Sequence, residues 1–540
     1  MPRFLTWGNF QMMRHLCNFC HYATSECDKC CSPPNLTWGN TETECDPCNF
    51  CHYPTYSDLM SNLAYTADQI RAAEAPLLDA QEHPDQLMQA AAYQVFRVAR
   101  ELAAKGRVLL LVGKGGNGGD ALYAGAELAM PGCNVDAWRA FDTAQPRALE
   151  AFRNAGGALV DSPGGDYDLV IDGILGLGGA GDLPWTLSFN APILSIDVPS
   201  GISADTGERG ANHLTADYTI TFGGWRLAHA LAPECGVQLL ADIGGLAAQL
   251  ATSPGTPIYR ASGPETAWPD GITQLGAPAL VTSEPGFYDD KYTGGVVGIR
   301  AGSGTYPGAA ILCTAGAVAA TPGMVRYAGP QALEVVRAHP EVVATDSVDS
   351  AGRVQAWVFG PGAGTDAEAA RDLEHILGTQ LPVLIDADGL TLLEKHAHLR
   401  QQVLSRGNPT VVTPHDGEFA RLRQALELHG AHRLHGTREL AEAMGCTVVR
   451  KGRATIIANP DGPAEVVDIG SSWAATPGSG DVLAGVMGAR IARDGVERLH
   501  ESVIVHGEAA ALAARTEFGV AQTSASDIAR RIRAATAKLS

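Results

Sequence analysis

Long apolar runs are missing from this sequence. None approaches the ~18 to 20 residues that a membrane span needs, and the N-terminus lacks the basic, apolar, small-residue order of a signal peptide. Positive charge is also short: 39 Lys and Arg stand against 59 Asp and Glu, a formal net charge of -20. That balance disfavours nonspecific binding to nucleic acid or to anionic membranes. It leaves nucleotide binding open, because backbone amides and helix termini can dominate the field at a phosphate. The expectation is a soluble cytoplasmic protein, with no nucleic-acid or membrane partner. Cysteine is scarce after residue 52, since eight of the 12 lie before it. Cys133, Cys235, Cys313 and Cys446 sit among apolar neighbours and read as small buried hydrophobes.

What is present fits an enzyme-sized globular chain. Its 540 residues allow two to four domains at roughly 150 residues each. Several of its 62 glycines fall in tight clusters, where backbone would approach a ligand closely.

The first 53 residues contain a duplication. L-T-W-G-N recurs at Leu5–Asn9 and Leu36–Asn40, and C-N-F-C-H-Y at Cys17–Tyr22 and Cys48–Tyr53. The C-x-x-C pairs among Cys17, Cys20, Cys27 and Cys30, with His21 and His52 nearby, have spacings that would suit zinc. The preferred reading is blander: a short direct repeat from translated upstream sequence or cloning, with a natural enzyme start at Met60. Residues 1–59 therefore stand outside the fold argument.

Residues 60–250 form the first expected domain. Helical patterning covers roughly Ala67–Ala104. Val108–Val112 is wholly apolar, as in a strand buried on both faces of a parallel sheet. G-K-G-G-N-G-G-D follows at Gly113–Asp120, then another helical stretch. Strand, glycine loop and helix is the layout in which amides meet phosphate. It is neither G-x-G-x-x-G nor a Walker loop. Two further strands end in carboxylates, Asp168–Asp172 and Pro192–Asp197. They lead into G-I-L-G-L-G-G-A-G-D at Gly173–Asp182 and V-P-S-G-I-S-A-D-T-G at Val198–Gly207. Ligands in open α/β sheets sit at such strand ends, where Asn117, Asp172, Asp197 and Ser200 would project.

These strings resemble the NAD(P)H-hydrate epimerase family, whose patterns are N-N-G-G-D, D-[AG]-x-[FL]-G-x-G and D-[IV]-P-S-G. The resemblance implies that Asn117, Asp172 and Ser200 hold K+, for which hard oxygen ligands are suited. It places the substrate against Gly116, Asn117, Gly118, Gly119 and Asp120, and against Gly176, Leu177, Gly178, Gly179, Ala180, Gly181 and Asp182. It makes Asp197 the acid/base. One departure stands out: Gly116 replaces the family's first asparagine, which removes a side-chain amide. A decayed, regulatory domain is the competing reading.

Residues 251–282, rich in Pro, Gly, Ser and Thr, read as a linker. Strand and helix patterns then alternate through 283–540: Gly294–Arg300, Ala356–Gly360, Val383–Asp386 and Val411–Thr413 each lead into a loop and helix. This implies parallel βα units. T-P-G-S-G-D-V-L-A-G at Thr476–Gly485 opens a helix whose amides would wrap a developing anion. Asp481 lies in its first turn as a general base, and the helix dipole would keep it ionised. An acidic helix cap is the plain alternative.

With G-P-G-x-G at Gly360–Gly364, D-A-D-G-L at Asp386–Leu390, T-P-H-D-G-E-F at Thr413–Phe419 and R-K-G at Arg450–Gly452, this half resembles ADP-dependent NAD(P)H-hydrate dehydratase. The resemblance implies an α/β chain in which an N-terminal Rossmann-like three-layer domain precedes a ribokinase-like α/β domain. It assigns hydrate binding to Gly364, His415, Asp416, Gly417, Glu418, Phe419, Ala420, Arg421 and Asp481. It assigns ADP (or ATP) to Lys451, Gly452, Arg453, Ala454 and Thr455, and to Ser471, Ser472, Trp473, Ala474, Ala475, Thr476, Pro477, Gly478, Ser479 and Gly480. Mg2+ would bridge the phosphates. His415 also fits a structural histidine. Small-molecule substrate and nucleotide are the expected partners, in a homo-oligomer. Two rivals remain: a ribokinase-like kinase of a small alcohol with an inactive N-terminal domain, and a zinc-binding adaptor built on Cys17–Cys51.

Overall fold

The computed structural model describes residues 62–540, apart from 104, 105, 131, 180, 264, 265, 281–284, 322 and 431. The N-terminal repeat, its zinc alternative, the Met60 start and Ala180 therefore lie outside the described residues.

The chain enters through β1 (Leu63–Tyr65) and α1 (Ala67–Asp79), whose start is fixed by a Thr66–Gln69 capping box. The helical patterning over 67–104 resolves into two helices, the second being α2 (Gln86–Ala103). His83-Pro84 and Asp85, whose φ is 64°, separate them. Proline disfavours helix in the residue before it, and a positive φ breaks the helical path.

β2 (Val108–Val112) has every residue buried. It lies centrally among β3 (Val135–Arg139), β4 (Ala158–Val160), β5 (Leu169–Gly173), β6 (Ile193–Ile196) and β7 (Tyr218–Phe222). With β9 (Val237–Ala241) and β11 (Ile272–Gln274) these form an eight-stranded sheet, ordered β11-β9-β7-β6-β5-β2-β3-β4. It is parallel except for β11, which runs antiparallel to β9. Alternation along β2 serves two cores. Val108, Leu110 and Val112 pack with α2 and α3 (Gly116–Ala129). Leu109 and Leu111 face Trp138, Val170, Leu183 and Leu214 on the other side.

The second sheet has twelve strands. β8 (Trp225–Arg226) and β10 (Thr256–Arg260) join β1 at one end of it. The rest are β12 (Val296–Arg300), β13 (Met324–Ala328), β14 (Val343–Thr345), β15 (Ala356–Phe359), β16 (Val383–Ile385), β17 (Thr410–Val412), β18 (Thr447–Arg450), β19 (Ala454–Ala458) and β20 (Glu465–Asp468). Their order is β14-β13-β12-β15-β16-β17-β18-β19-β20-β10-β1-β8. The expected parallel units occupy β12 to β18, while β19 is antiparallel to both its neighbours. Helices cover both faces, giving the cores around Phe359 and Leu373 and around Ile299 and Met487.

The segment expected as a linker carries strands of both sheets. β10 runs parallel to β20, with Ile258 opposite Val466, and β11 pairs with β9. Trp225, Ile258, Leu275, Ile456 and Val466 close one apolar cluster between the halves.

Candidate active sites

The first site forms where β2, β5 and β6 end. Gly113 can only be glycine: a Cβ there would stand 1.9 Å from the Ile174 carbonyl oxygen. The loop then turns into α3, whose N-cap Gly115 offers no side-chain cap. The first amides of the helix are left for another acceptor. Space around Gly116 is open, so no steric demand explains the glycine in place of asparagine.

The structure brings Asn117, Asp172 and Ser200 together. The Asn117 amide donates to the carbonyls of Leu175 (3.3 Å) and Ile196 (2.7 Å). Asp172, fully buried, accepts from the Ser200 hydroxyl (2.6 Å), the Ser200 amide (2.9 Å) and the Ser195 hydroxyl (2.9 Å). Ser200 Oγ in turn accepts from the Leu175 amide at 2.9 Å. Burial raises the Asp172 carboxyl above its usual range despite these three hydrogen bonds and a fourth from the Ile174 amide at 3.2 Å. All of its donors are neutral, and a buried carboxylate among neutral donors suits a bound cation.

Asp197 follows β6 and is 7% exposed, with a φ of 65°. Non-glycine residues held in this region persist where the surroundings over-determine them. Thr221 donates to its carboxylate (3.1 Å) and Arg226 pairs with it (3.0 Å). His229 donates to its carbonyl through Nε2 (2.7 Å), while His229 Nδ1 accepts from the Arg226 amide (3.0 Å). Burial pushes the His229 imidazole down to about 3, so it is a neutral prop. Asp120 and Glu74 face the same carboxylate: burial, then the Asp197 charge, raises both.

Of the loop 176–182, Gly176 touches Asn117, since a Cβ there would meet its amide at 2.5 Å. Gly178 lies beside Arg71, and Leu177 packs on the core. Asp182 turns instead to the 210–212 loop, accepting from the Ala211 amide. Thr221, Arg226, His229 and Glu74 were not singled out in the sequence, where they carry no motif.

The second site forms at the ends of β15 to β18. Asp386 is buried after β16, followed by Ala387 at a φ of 49°. Gly360 must approach it, because a Cβ would stand 1.9 Å from the Asp386 carbonyl oxygen. Lys451, after β18, binds Asp386 Oδ1 through Nζ at 2.5 Å. Burial opposes that charge, but the Asp386 and Glu418 carboxylates hold the ammonium above its ordinary value. Asp388 accepts from the Gly364 amide at 2.9 Å. Glu418 accepts from the His415 amide at 2.9 Å and faces the same cluster.

Asp481 completes the group from the first turn of α5 (Ser479–Asp494), a helix with no side-chain cap. The expectation that the helix dipole keeps it ionised is corrected. Burial, then Asp386, pushes its carboxyl up to about 7, with Lys451 pulling the other way. A dipole contribution of ~0.3 to 1 kcal/mol is outweighed by desolvation plus a neighbouring carboxylate. His506, buried and lowered to about 4, lies 3.1 Å from Ser479 Oγ and 3.0 Å from its carbonyl, steadying the loop.

The other expected contacts divide. Gly480 lies beside the Lys451 ammonium. The Ile469 amide donates to the Arg453 carbonyl (2.9 Å), bringing 451–455 alongside 469–471. The Ser471 hydroxyl is buried without a hydrogen-bond partner among the described residues. Trp473 and Ala474 pack on a helical core, and Gly478 adjoins Leu312 and Ala525. His415 caps α4 (Asp416–Ala425), its Nδ1 accepting from the Gly417 amide at 3.0 Å. Asp416 is held by Arg433 and Arg450, and Phe419 lies under Arg450 with 4.0 Å to the ring centroid. Arg421 pairs with Glu394. These residues shape the rim and leave the charge cluster to Asp386, Asp388, Glu418, Lys451 and Asp481.

Two largely parallel sheets with carboxylates at their strand ends, one beside a glycine loop and one at an uncapped helix, define a two-site α/β enzyme. Family models described as "YjeF-related protein N-terminus" and "NAD(P)H-hydrate dehydratase" match residues 84–228 and 297–533. A "Bifunctional NAD(P)H-hydrate repair enzyme" of Corynebacterium glutamicum is 43% identical, over 88% of this chain and 98% of its own length. Its Mycobacterium tuberculosis counterpart is 45% identical, over 88% and 99%. The chain belongs to the bifunctional NAD(P)H-hydrate repair enzyme family. Among solved structures, an ADP/ATP-dependent NAD(P)H-hydrate dehydratase of Bacillus subtilis, co-crystallised with ATP/Mg2+ and soaked with CoA, is 25% identical. It covers 46% of this chain and 94% of its own, with a TM-score of 0.38.

Proposed function

We propose that this chain repairs hydrated NADH and NADPH in the cytoplasm. The 60–250 half interconverts the two epimers, and the 283–540 half dehydrates the S form with ADP or ATP. The observation that carries the reading is the pairing of two sites in one chain whose relatives match along nearly their whole length. In the first site, Asp197 moves a proton at the hydroxylated carbon beside the ring nitrogen, whose lone pair helps expel the hydroxyl. Asn117, Asp172 and Ser200 would hold K+, which would fix the loops around the nucleotide.

In the second site, Asp481 takes the proton of the substrate hydroxyl as that oxygen accepts a phosphoryl group. The amides opening α5 and the Lys451 ammonium face the charge that develops. Loss of phosphate then replaces loss of water, a poorer leaving group. Segments 451–455 and 471–480 would hold the nucleotide, and Mg2+ would accompany its phosphates. The active form is a homo-oligomer in this reading. The test is recovery of the reduced-nicotinamide absorbance from hydrated NADH, with ADP or ATP in turn. Nucleotide-independent recovery, or none with either nucleotide, refutes the reading.

A further inference from the structure

The epimerase site holds a carboxyl for which single-base chemistry has no use. Asp120 lies in α3, three residues after Asn117, so the two share a face of that helix. Asn117 donates to the carbonyl of Ile196, the residue before Asp197. The Asp197 charge reaches Asp120, which is only 7% exposed. Among the described residues no hydrogen bond or ion pair reaches its carboxyl. Asp197 is as deeply buried but has partners: Arg226 and Thr221 both hold it. A buried carboxyl without donors is far costlier to ionise than one beside a guanidinium.

We propose that Asp120 is a second proton-transfer group of the epimerase, working as acid while Asp197 works as base, and exchanging roles with it in the reverse direction. This rests on the epimerase reading of the 60–250 half. The chemistry asks for two groups. To invert the carbon, the hydroxyl must leave from one face and water must add to the other. One carboxyl on one side cannot serve both oxygens. In one direction Asp120 gives its proton to the departing hydroxyl, the C–O bond breaks, and water is released. The ring-nitrogen lone pair forms the C=N bond of an iminium. Water then adds to the opposite face, its electrons forming the new C–O bond while the C=N pair returns to nitrogen, and Asp197 takes the surplus proton. The protein now holds its proton on Asp197, the form suited to the other epimer. No oxidant or further reactant is needed.

A carboxyl kept neutral by its surroundings is suited to act as an acid. Burial, then Asp197, then Glu74 raises Asp120 well above the usual carboxylate range. Around the pair stand Glu74 and Arg71 from α1, Arg226 from β8 and the neutral His229.

The experiment follows epimer interconversion in the full chain, alongside nucleotide-dependent consumption of the S epimer and the melting temperature. Asp120→Asn keeps the shape and a hydrogen-bond donor but cannot release a proton. It is expected to slow interconversion by about 100-fold or more, with dehydration and melting unchanged. Wild-type interconversion is expected to fall on the alkaline side as Asp120 loses its proton, and that fall is measurable even if the variant does not fold. An Asp120→Asn variant at the wild-type rate, or a wild-type rate flat up the alkaline side, overturns the proposal. If Asp197→Asn is slow while Asp120→Asn is not, only the two-carboxyl mechanism fails. If the wild-type chain does not interconvert the epimers at all, the epimerase reading itself fails.

Discussion

The pH dependence of the dehydratase turns on one carboxyl. Asp481 is pushed from 3.8 up to about 7, a preference for the neutral form of roughly 4 kcal/mol at 1.36 kcal/mol per pH unit. A base must be ionised to accept the hydroxyl proton. About half of the sites are ready at pH 7, and readiness falls about tenfold for each pH unit below that. Nucleotide-dependent kcat/KM should therefore rise from the acid side and level off above about pH 7. Lys451 is the cation that lowers Asp481, and Asp386 is the largest charge that raises it. Lys451→Met should move the rising limb to higher pH, so that activity lost at neutral pH partly returns when the solution is made alkaline. Substituting Lys451 therefore alters the base as well as the segment proposed to hold the nucleotide. The assay is initial-rate recovery of reduced-nicotinamide absorbance across pH. Asp481→Asn is the control, since its residual rate should lose the limb while the titration of the nucleotide phosphate persists. A limb near pH 4 in the wild type, or one unmoved by Lys451→Met, refutes the reasoning.

The same carboxyl bears on stability. Its folded value lies above its unfolded one, so the folded state holds the extra proton between about pH 4 and 7 and stability is lost as pH rises through that window. Asp481→Asn should raise the melting temperature at pH 8 and leave it little changed at pH 4; calorimetry at both decides. Asp197→Asn should slow epimerisation by roughly 100- to 10,000-fold and leave dehydration of the S form intact, which chromatography of the epimers would read. Arg490→Met should cost about 3 kcal/mol in a urea titration, because Glu501 would stay buried with Arg498 alone. A chain cut between the halves should expose the Trp225, Ile258 and Val466 cluster, and the two pieces should be recovered together rather than as separate soluble domains.

The elements that the sequence made legible are those dictated locally. β2 lies where its apolar run is, because a strand buried on both faces needs nothing polar. The carboxylates at the ends of β5, β6 and β16 fall where their strings indicated. The failures are tertiary. β10 and β11 look like loop because their partners, Val466 and Ala241, lie outside the segment and no apolar alternation marks them. Arg226 shows no motif, yet it is the cation on Asp197, 29 residues away. Asp386 sits inside a recognisable string, but its pairing with Lys451 spans 65 residues. The ionisation of Asp481 escapes a local reading for a related reason. A helix dipole can be read from local sequence, whereas the burial that overrides it comes from segments far along the chain.

The strand pairing also gives a physical reason for the two halves to share a chain. Asp197 follows β6 of the eight-stranded sheet, but its partner Arg226 ends β8, which is paired to β1 in the other sheet. β1 is held by β10, and β10 by β20. β20 ends at Asp468, which binds Arg260 of β10 and Arg453 in the segment proposed to hold the nucleotide. Continuity of this kind is a scaffold, and a signal between the sites would need a two-state element besides. As a scaffold it is exacting. The guanidinium that faces Asp197 is only as well placed as an edge strand of two residues, and that strand is fixed by a sheet whose other members build the dehydratase. Separating the halves would remove the support of the first site's charge, even though every residue that touches the epimerase substrate in this reading lies within the first half.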